Sequence, residues 1–403
     1  MIKRVAYLSY HTCPLVQPGA GDAGGMNVYI HELAATMAKR GIEVDVFTRR
    51  TNTTDEDVIE VADGYRVFHL TAGPPEPLPI GSLWPYVNEF AEGIIATSYD
   101  NGGYDLIHSH YWLSGWAGIL VKEALEVPLA NSFHTLGRVK DLTRRADEEP
   151  SSGARLATEQ EVISRSDCVV ASTPLEADEL MEHYGASPER LCVSPPGINH
   201  HIFRPGDRSE ARSWIGMVDA PIVLFVGRIQ PLKGLDVALE AVSALDDVHL
   251  VVVGGPSGPE GQSELDRVEK MAVELGMVDR THFVPAQPHD QLAEFYRAAN
   301  VLVMPSRSES FGLVAAEGQA CGVPVVAARV GGLEYVVDDG ESGYLLDSWD
   351  PEVWAATISR ILSDPALAEQ LSAGAVKNAE KFSWTATANR LLELYAGIVG
   401  EDD

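Results

Sequence analysis

Short apolar runs alternate with amphipathic stretches along nearly the whole chain, and that alternation is the strongest constraint on its fold. The runs at 5–9, 44–48, 65–70, 106–110, 129–132, 168–172 and 190–194 are too short for helices and read as strands. Between them, 27–39, 84–98, 114–125, 154–165 and 174–184 carry helical spacing. Strand–helix alternation of this kind predicts an α/β chain with doubly wound parallel sheets, helices covering both faces. The pattern breaks at Pro195-Pro-Gly197 and stays irregular to Pro205. It restarts with the buried run 222–226, followed by strands at 248–253, 281–284, 301–304 and 325–328 and by helices at 235–245, 263–275, 290–298, 354–362 and 365–377. Two similar domains, 1–198 and 199–383, are therefore expected, and 403 residues are enough for two cores. The last helix, 384–403, is amphipathic through Leu391, Leu392, Leu394, Tyr395 and Ile398.

The stretch from Val301 to Pro324 carries the strongest functional signal. Its strand delivers Glu309 to the carboxyl edge of a sheet, and a small-residue helix from Gly312 to Ala320 starts at once. The free N–H groups of such a helix start form an anion site, and ligands of open α/β sheets bind at that edge. Glu309 and Glu317 are eight positions apart, so a helix running between them would separate them by about 12 Å. Two carboxylates bracketing an anion site suit a long ligand with phosphates at its middle, such as a nucleotide-sugar. The competing reading, two solvated carboxylates near a helix start, is weakened by the apolar neighbours of Glu317.

A second signal is Phe225-Val-Gly-Arg-Ile-Gln-Pro-Leu-Lys-Gly234, where Arg228 and Lys233 leave a buried strand and open a helix. Both charges fall near the same sheet edge, where they can meet a diphosphate. Gly19, Gly21 and Gly24 formally spell a dinucleotide fingerprint, but that reading needs an acid at the end of the second strand. The chain has Arg49 and Arg50 there, so Gly24 and Gly25 are expected instead to let backbone N–H groups approach phosphates. His108, His110 and His134 sit at strand ends without acidic or Cys partners spaced for zinc, so no metal is expected in the chemistry. A peripheral Mg²⁺ on the diphosphate is compatible with that expectation.

The formal charge of −29 argues against nucleic-acid or anionic-membrane partners and obliges an anionic substrate to find its cations gathered locally. Arg138, Lys140, Arg144, Arg145 and Arg155 form such a cluster in the sequence. The four cysteines are scattered and suit a reducing cytoplasm, most of them as small core residues. No run reaches transmembrane length and the N-terminus reads as a strand rather than a signal peptide, so a cytoplasmic protein is expected.

Glu309 and Glu317 with Ser310-Phe-Gly-Leu313 between them, preceded by Arg228 and Lys233, resemble family 4 of the retaining glycosyltransferases. The resemblance spans nearly the whole chain. Through the segments 11–15, 24–30, 104–115, 192–197, 225–234, 254–259 and 308–333, it is nearest to the branch that transfers N-acetylglucosamine to an inositol phosphate in mycothiol biosynthesis. It implies the GT-B fold, two Rossmann-like domains facing across a cleft with the last helix crossing back. It also implies transfer from UDP-N-acetylglucosamine to 1D-myo-inositol 3-phosphate with retention and no protein nucleophile. On that resemblance Arg228 and Lys233 neutralise the leaving diphosphate, Glu309 and His134 hold the transferred sugar, and Glu317 binds the ribose. Gln17, Gly24, Gly25, Gln287, Ser310, Phe311, Gly312 and Leu313 complete the donor site. His11, Tyr111, Thr135 and Arg155 become acceptor contacts, and the relative's homodimer leaves this chain's oligomeric state open. One departure matters: where the relative supplies an acceptor-phosphate lysine from the loop after its third strand, the loop here, 71–81, has Ile80 near the expected site and no Lys or Arg. Either Arg138 supplies that charge or the acceptor differs. A sucrose-phosphate-synthase-like transferase, a UDP-N-acetylglucosamine 2-epimerase and a non-catalytic sugar-nucleotide binder are the alternatives.

Overall fold

The computed structural model describes residues 2–19, 21–144, 149–217, 220–258 and 261–400 of the chain. The first sheet contains β1 (Arg4–Leu8), β2 (Glu43–Arg49), β3 (Val58–Ala62), β4 (Tyr65–Leu70), β5 (Leu106–His110), β6 (Leu129–Ser132), β7 (Cys168–Ala171) and β8 (Leu191–Val193). Its spatial order is β3-β4-β2-β1-β5-β6-β7-β8. The second sheet contains β9 (Ile222–Val226), β10 (His249–Val253), β11 (Thr281–Val284), β12 (Val301–Met304), β13 (Val325–Ala328) and β14 (Gly343–Leu346), in the order β11-β10-β9-β12-β13-β14. Every pairing is parallel except β3–β4.

Sequence periodicity missed β3, along with the helices Gly137–Thr143 and Arg208–Ile215. The reason is legible in β3: it is an edge strand with no buried residue, so it lacks the apolar signature of the others. Asp63-Gly64, with Gly64 at φ +76, makes the two-residue hairpin turn into β4.

Parallel strands are covered on both faces, which is why they read as near-continuous apolar runs. Alternate residues of β1 illustrate this: Ala6 and Leu8 enter one cluster with Phe90, Leu113 and Val162, whereas Val5 and Tyr7 enter another with Leu33 and Met37. The second sheet is sandwiched in the same way. Trp384, Leu391 and Tyr395 of the last helix, Trp384–Val399, belong to the Val5/Tyr7 cluster of the first sheet, although the preceding helix, Pro365–Ala379, packs on the second. The chain thus crosses between the sheets twice, and the two crossings touch. Ile198 bridges Ser383, and a Cβ at Gly197 would lie 2.1 Å from the Trp384 nitrogen. Only glycine fits there, which gives the Pro-Pro-Gly boundary a steric reason.

The cysteine expectation needs correction. Cys168 in β7 and Cys192 in the neighbouring β8 are paired as a disulfide with Cα atoms 6.4 Å apart, while Cys13 and Cys321 are free. Strand adjacency, invisible in a spacing of 24 residues, brings the pair together. No helix among the described residues is long and apolar enough to cross a membrane.

Strand order fixes where a ligand can sit. In the first sheet the order reverses between β1 and β5, and in the second between β9 and β12. Crevices open at the carboxyl ends of strands beside such reversals. The two open toward each other.

Candidate active site

A cavity of about 320 Å³ lies between the sheets, lined from both sides by the loops that follow β1, β5, β6, β9 and β12. Of the donor residues named from the sequence, all but Gln17 line it. Gln17 instead donates from Nε2 to the Gln287 carbonyl at 2.8 Å, spanning the cleft.

Arg228 follows the end of β9 and crosses toward the first sheet. A Cβ at Gly24 would stand 3.3 Å from its Nε, so glycine there lets the guanidinium lie against the N-terminus of helix Gly25–Ala38. Lys233 Nζ is 2.6 Å from Glu309 Oε2, an ion pair joining the two strand-end loops of the second sheet. The helix expected to run between the two glutamates is shorter. Gly312 takes φ +103 and the helix begins only at Leu313, so Glu309 stands in the loop and the along-helix estimate of their separation does not apply. Phe311, Gly312 and Leu313 still open a helix at the cavity wall, and first-turn N–H groups have no partner within their own helix. Glu317 is buried at the far end, accepts a hydrogen bond from the Tyr296 hydroxyl at 2.9 Å, and has its pKa pushed up to about 8 by desolvation.

On the facing wall, β5 and β6 end in three histidines. His108 is fully buried between the Tyr395 hydroxyl (2.6 Å) and Ser132 Oγ (2.9 Å), so it ties the last helix to the first sheet and is structural. His110 Nδ1 lies 3.0 Å from His134 Nε2, and His134 lines the cavity. Tyr111 and His134 both adopt left-handed backbone, with φ 80 and 60. Non-glycine residues held there cost on the order of 1–3 kcal/mol and cluster at functional sites. Ser310 Oγ donates to the His134 carbonyl, and Ser172 Oγ lies 3.1 Å from the Ser310 carbonyl. Buried Glu176 accepts from the Ser172 backbone N–H at 2.7 Å and also from its hydroxyl. Sequence reasoning missed Ser172 and Glu176. The signal was a capping-box pattern, Thr173 to Glu176, but the carboxylate closes on Ser172 and so braces the loop that meets the second sheet.

The acceptor residues named from the sequence converge, with one exception. Arg155 donates from Nη2 to the carbonyl and hydroxyl of Thr135 (3.1 and 3.2 Å) and from Nε to Glu159 (2.7 Å). Its guanidinium carbon is 5.2 Å from the Tyr111 ring centre, and the His11 ring is 4.7 Å from that ring. Burial, reinforced by Arg228, drives the His11 pKa down to about 3. Arg138 does not join them: it lies over the Tyr184 ring at 4.7 Å and donates to the His183 carbonyl. Helix geometry explains the correction. Positions 138 and 140 are two apart on the helix Gly137–Thr143 and face different sides. Arg138 turns to the helix Pro174–Tyr184, while Lys140 lines the cavity, as does Ile80. Arg145 lies outside the described residues.

In a chain of charge −29, this cavity gathers Arg228, Lys233 and Lys140. Three of its four acids are blunted, because Glu309 is paired and burial raises the pKa of both Glu317 and Glu176, while the fourth, Asp22, is exposed at the rim. Anions can therefore bind where the global field would repel them. No group of three or more His, Cys, Asp or Glu among the described residues is placed to hold a metal.

Residues 24–197 match the glycosyl transferase 4-like domain, and residues 208–379 match the glycosyl transferases group 1 family. Over 99% of this chain and 94% of the relative, it is 48% identical to a D-inositol 3-phosphate glycosyltransferase of Streptosporangium roseum. A protein of the same description from Thermomonospora curvata is 47% identical over 98% and 96% of the two chains. Among solved structures, sucrose-phosphate synthase from Thermosynechococcus elongatus superposes with a TM-score of 0.93 at 34% identity, over 99% of this chain and all of that one. With cations, helix N-terminus and paired carboxylates meeting between two doubly wound sheets, the chain belongs to the group 1, type 4-like glycosyltransferases of the GT-B fold.

Proposed function

We propose that the protein transfers N-acetylglucosamine from UDP-N-acetylglucosamine to 1D-myo-inositol 3-phosphate, with retention, as a cytoplasmic enzyme of mycothiol biosynthesis. The observation that carries the reading is the convergence of Arg228, Lys233 and the loop Ser310–Leu313 on a cavity whose opposite wall holds His11, Tyr111 and Thr135, with Arg155 behind them against Thr135 and Tyr111. Similarity to relatives named for D-inositol 3-phosphate supports the acceptor.

Fixed positive groups and helix N–H groups stabilise the departing diphosphate as the anomeric carbon gains oxocarbenium character, typically the largest catalytic contribution. Glu309, held by Lys233, is committed to positioning rather than to nucleophilic attack. The leaving phosphate takes the proton of the incoming hydroxyl on the same face, so retention needs no double displacement of the glycosidase kind. Glu317 accepts from the ribose hydroxyls, and Lys140 stands with Arg155 for the acceptor phosphate. The two sheets correspond to an acceptor-side domain (1–198, with the last helix) and a donor-side domain (199–383). No metal is needed for the chemistry.

A sucrose-phosphate-synthase-like reaction is the second reading, favoured by the 0.93 superposition. Purified protein is incubated with each of several sugar nucleotides, with and without inositol 3-phosphate or fructose 6-phosphate. The proposal expects UDP release only with UDP-N-acetylglucosamine and inositol 3-phosphate, unaffected by EDTA. Transfer to fructose 6-phosphate alone moves the assignment to the second reading, and a C2-inverted sugar without acceptor defeats both.

A further inference from the structure

The His110–His134 contact decides which proton His134 presents to the cleft. Both rings are neutral at working pH: burial takes the His134 pKa down to about 3 and that of His110 well below its ordinary value. A neutral imidazole carries one N–H and one bare nitrogen, so exactly one member of the pair donates across the 3.0 Å contact between His110 Nδ1 and His134 Nε2.

The remaining nitrogen of His110 breaks the tie. Its Nε2 is sealed from solvent and has no hydrogen-bond partner. Around the ring stand His108, whose two nitrogens are engaged by Tyr395 and Ser132, and Tyr7 and Tyr29, at centroid distances of 4.3, 5.5 and 5.7 Å. If His134 donated, the His110 proton would sit on Nε2 as a buried N–H with no acceptor. If His110 donates, Nε2 is a bare lone pair. A buried N–H without an acceptor is the rarer and costlier orphan. The His110 proton therefore belongs on Nδ1, His134 accepts at Nε2, and the His134 proton is driven to Nδ1. That last nitrogen makes no hydrogen bond among the described residues and is not sealed off, on a residue that lines the cavity.

We infer that His110 is a positioning residue that fixes His134 as an Nδ1–H donor toward the bound sugar, so that His134 serves an oxygen acceptor on the substrate and cannot act as a base. The inference rests on the proposed transfer for the identity of that sugar and deepens it: with His134 unable to take a proton, the acceptor hydroxyl has the leaving phosphate as its base.

The test is nitrogen NMR of the full chain labelled with ¹⁵N-histidine, without substrate, the two residues being assigned by the signals lost in His110→Asn and His134→Gln. The expected result is a protonated-type shift at His134 Nδ1 and a bare-type shift at Nε2. The reverse pattern in the wild type overturns the inference, whatever the variants do. Asn at 110 keeps an N–H near the position of Nδ1 and His110→Leu removes it. Leu is expected to lower kcat roughly 10- to 100-fold with little change in UDP affinity, and Asn to recover most of it. Equal losses in Asn and Leu would assign His110 to packing alone. Because the NMR pattern needs no substrate, a wrong sugar or acceptor would leave it intact while failing the transfer assay.

Discussion

Removing the Lys140 ammonium should weaken the acceptor and spare the donor. Lys140 lines the cavity beside the Thr135–Arg155 cluster and has no ion pair among the described residues, while the neighbouring wall offers Ile80. A phosphate held there loses one charge-assisted hydrogen bond in Lys140→Ala, worth about 1.5–3 kcal/mol. That corresponds to a rise in acceptor KM of roughly 10- to 150-fold. Were the phosphate out in solvent, the contact would be worth at most about 1 kcal/mol, or about fivefold. Arg155 remains, fixed by Glu159, so transfer is weakened rather than abolished. The assay is initial-rate UDP release with acceptor varied at saturating donor, alongside calorimetric titration of UDP. Ile80→Lys in the Lys140→Ala background should recover much of the loss by supplying charge from the other wall. An acceptor KM within about threefold of wild type, or an equal loss of UDP affinity, would refute the assignment.

Four further outcomes are expected. Glu317 has its pKa raised to about 8, and ribose hydroxyls favour its ionised form, so UDP should bind more tightly from pH 6.5 to 8.5 with proton release near pH 7. Calorimetry in two buffers of different ionisation heat checks this, and release persisting in Glu317→Gln would place it elsewhere. His11, His108, His110 and His134 all have lowered pKa values, so the unfolded state takes up protons first as pH falls below its ordinary 6.5. Stability is full above that value and declines toward pH 3, by up to about 1.4 kcal/mol per pH unit for each group. A Tm unchanged between pH 6.5 and 5 contradicts the burial of these rings. Gly197→Ala forces a Cβ against the Trp384 backbone and should lower Tm by several degrees, read by calorimetry against a Gly153→Ala control at an open position with ordinary φ. Finally, a chain of charge −29 repels anionic substrates at long range. Raising salt from about 0.01 to 0.15 M should therefore increase kcat/KM, the reverse of ordinary steering.

Much of this protein could be read from residues alone, because buried parallel strands leave short apolar runs that nothing else in a soluble chain resembles. Strands β9, β11, β12 and β13 fall where the runs predict, and Trp384–Val399 starts at the expected residue. The edge strand β3, with one neighbour, and the short helix Gly137–Thr143, held by polar contacts to Glu159 and Tyr184, carry no such run and were illegible. The cleft residues could be named because Arg228, Lys233 and Glu309 follow strand ends and Glu317 sits in the helix that comes next, in an order that also resembles the family. Arg138 was misplaced because the charge was visible but the helix that turns it away was not.

The division has a physical basis. Local pattern sets which segments become strands and helices, and it sets which of them end in charge, since both depend on neighbours a few residues apart. Which charges then meet depends on contacts between residues far apart in the chain. Lys233 closes on Glu309, His110 finds His134, and Cys168 faces Cys192 only once strands have been ordered side by side. Order in the sheets, and the burial that fixes protonation, belong to the folded whole.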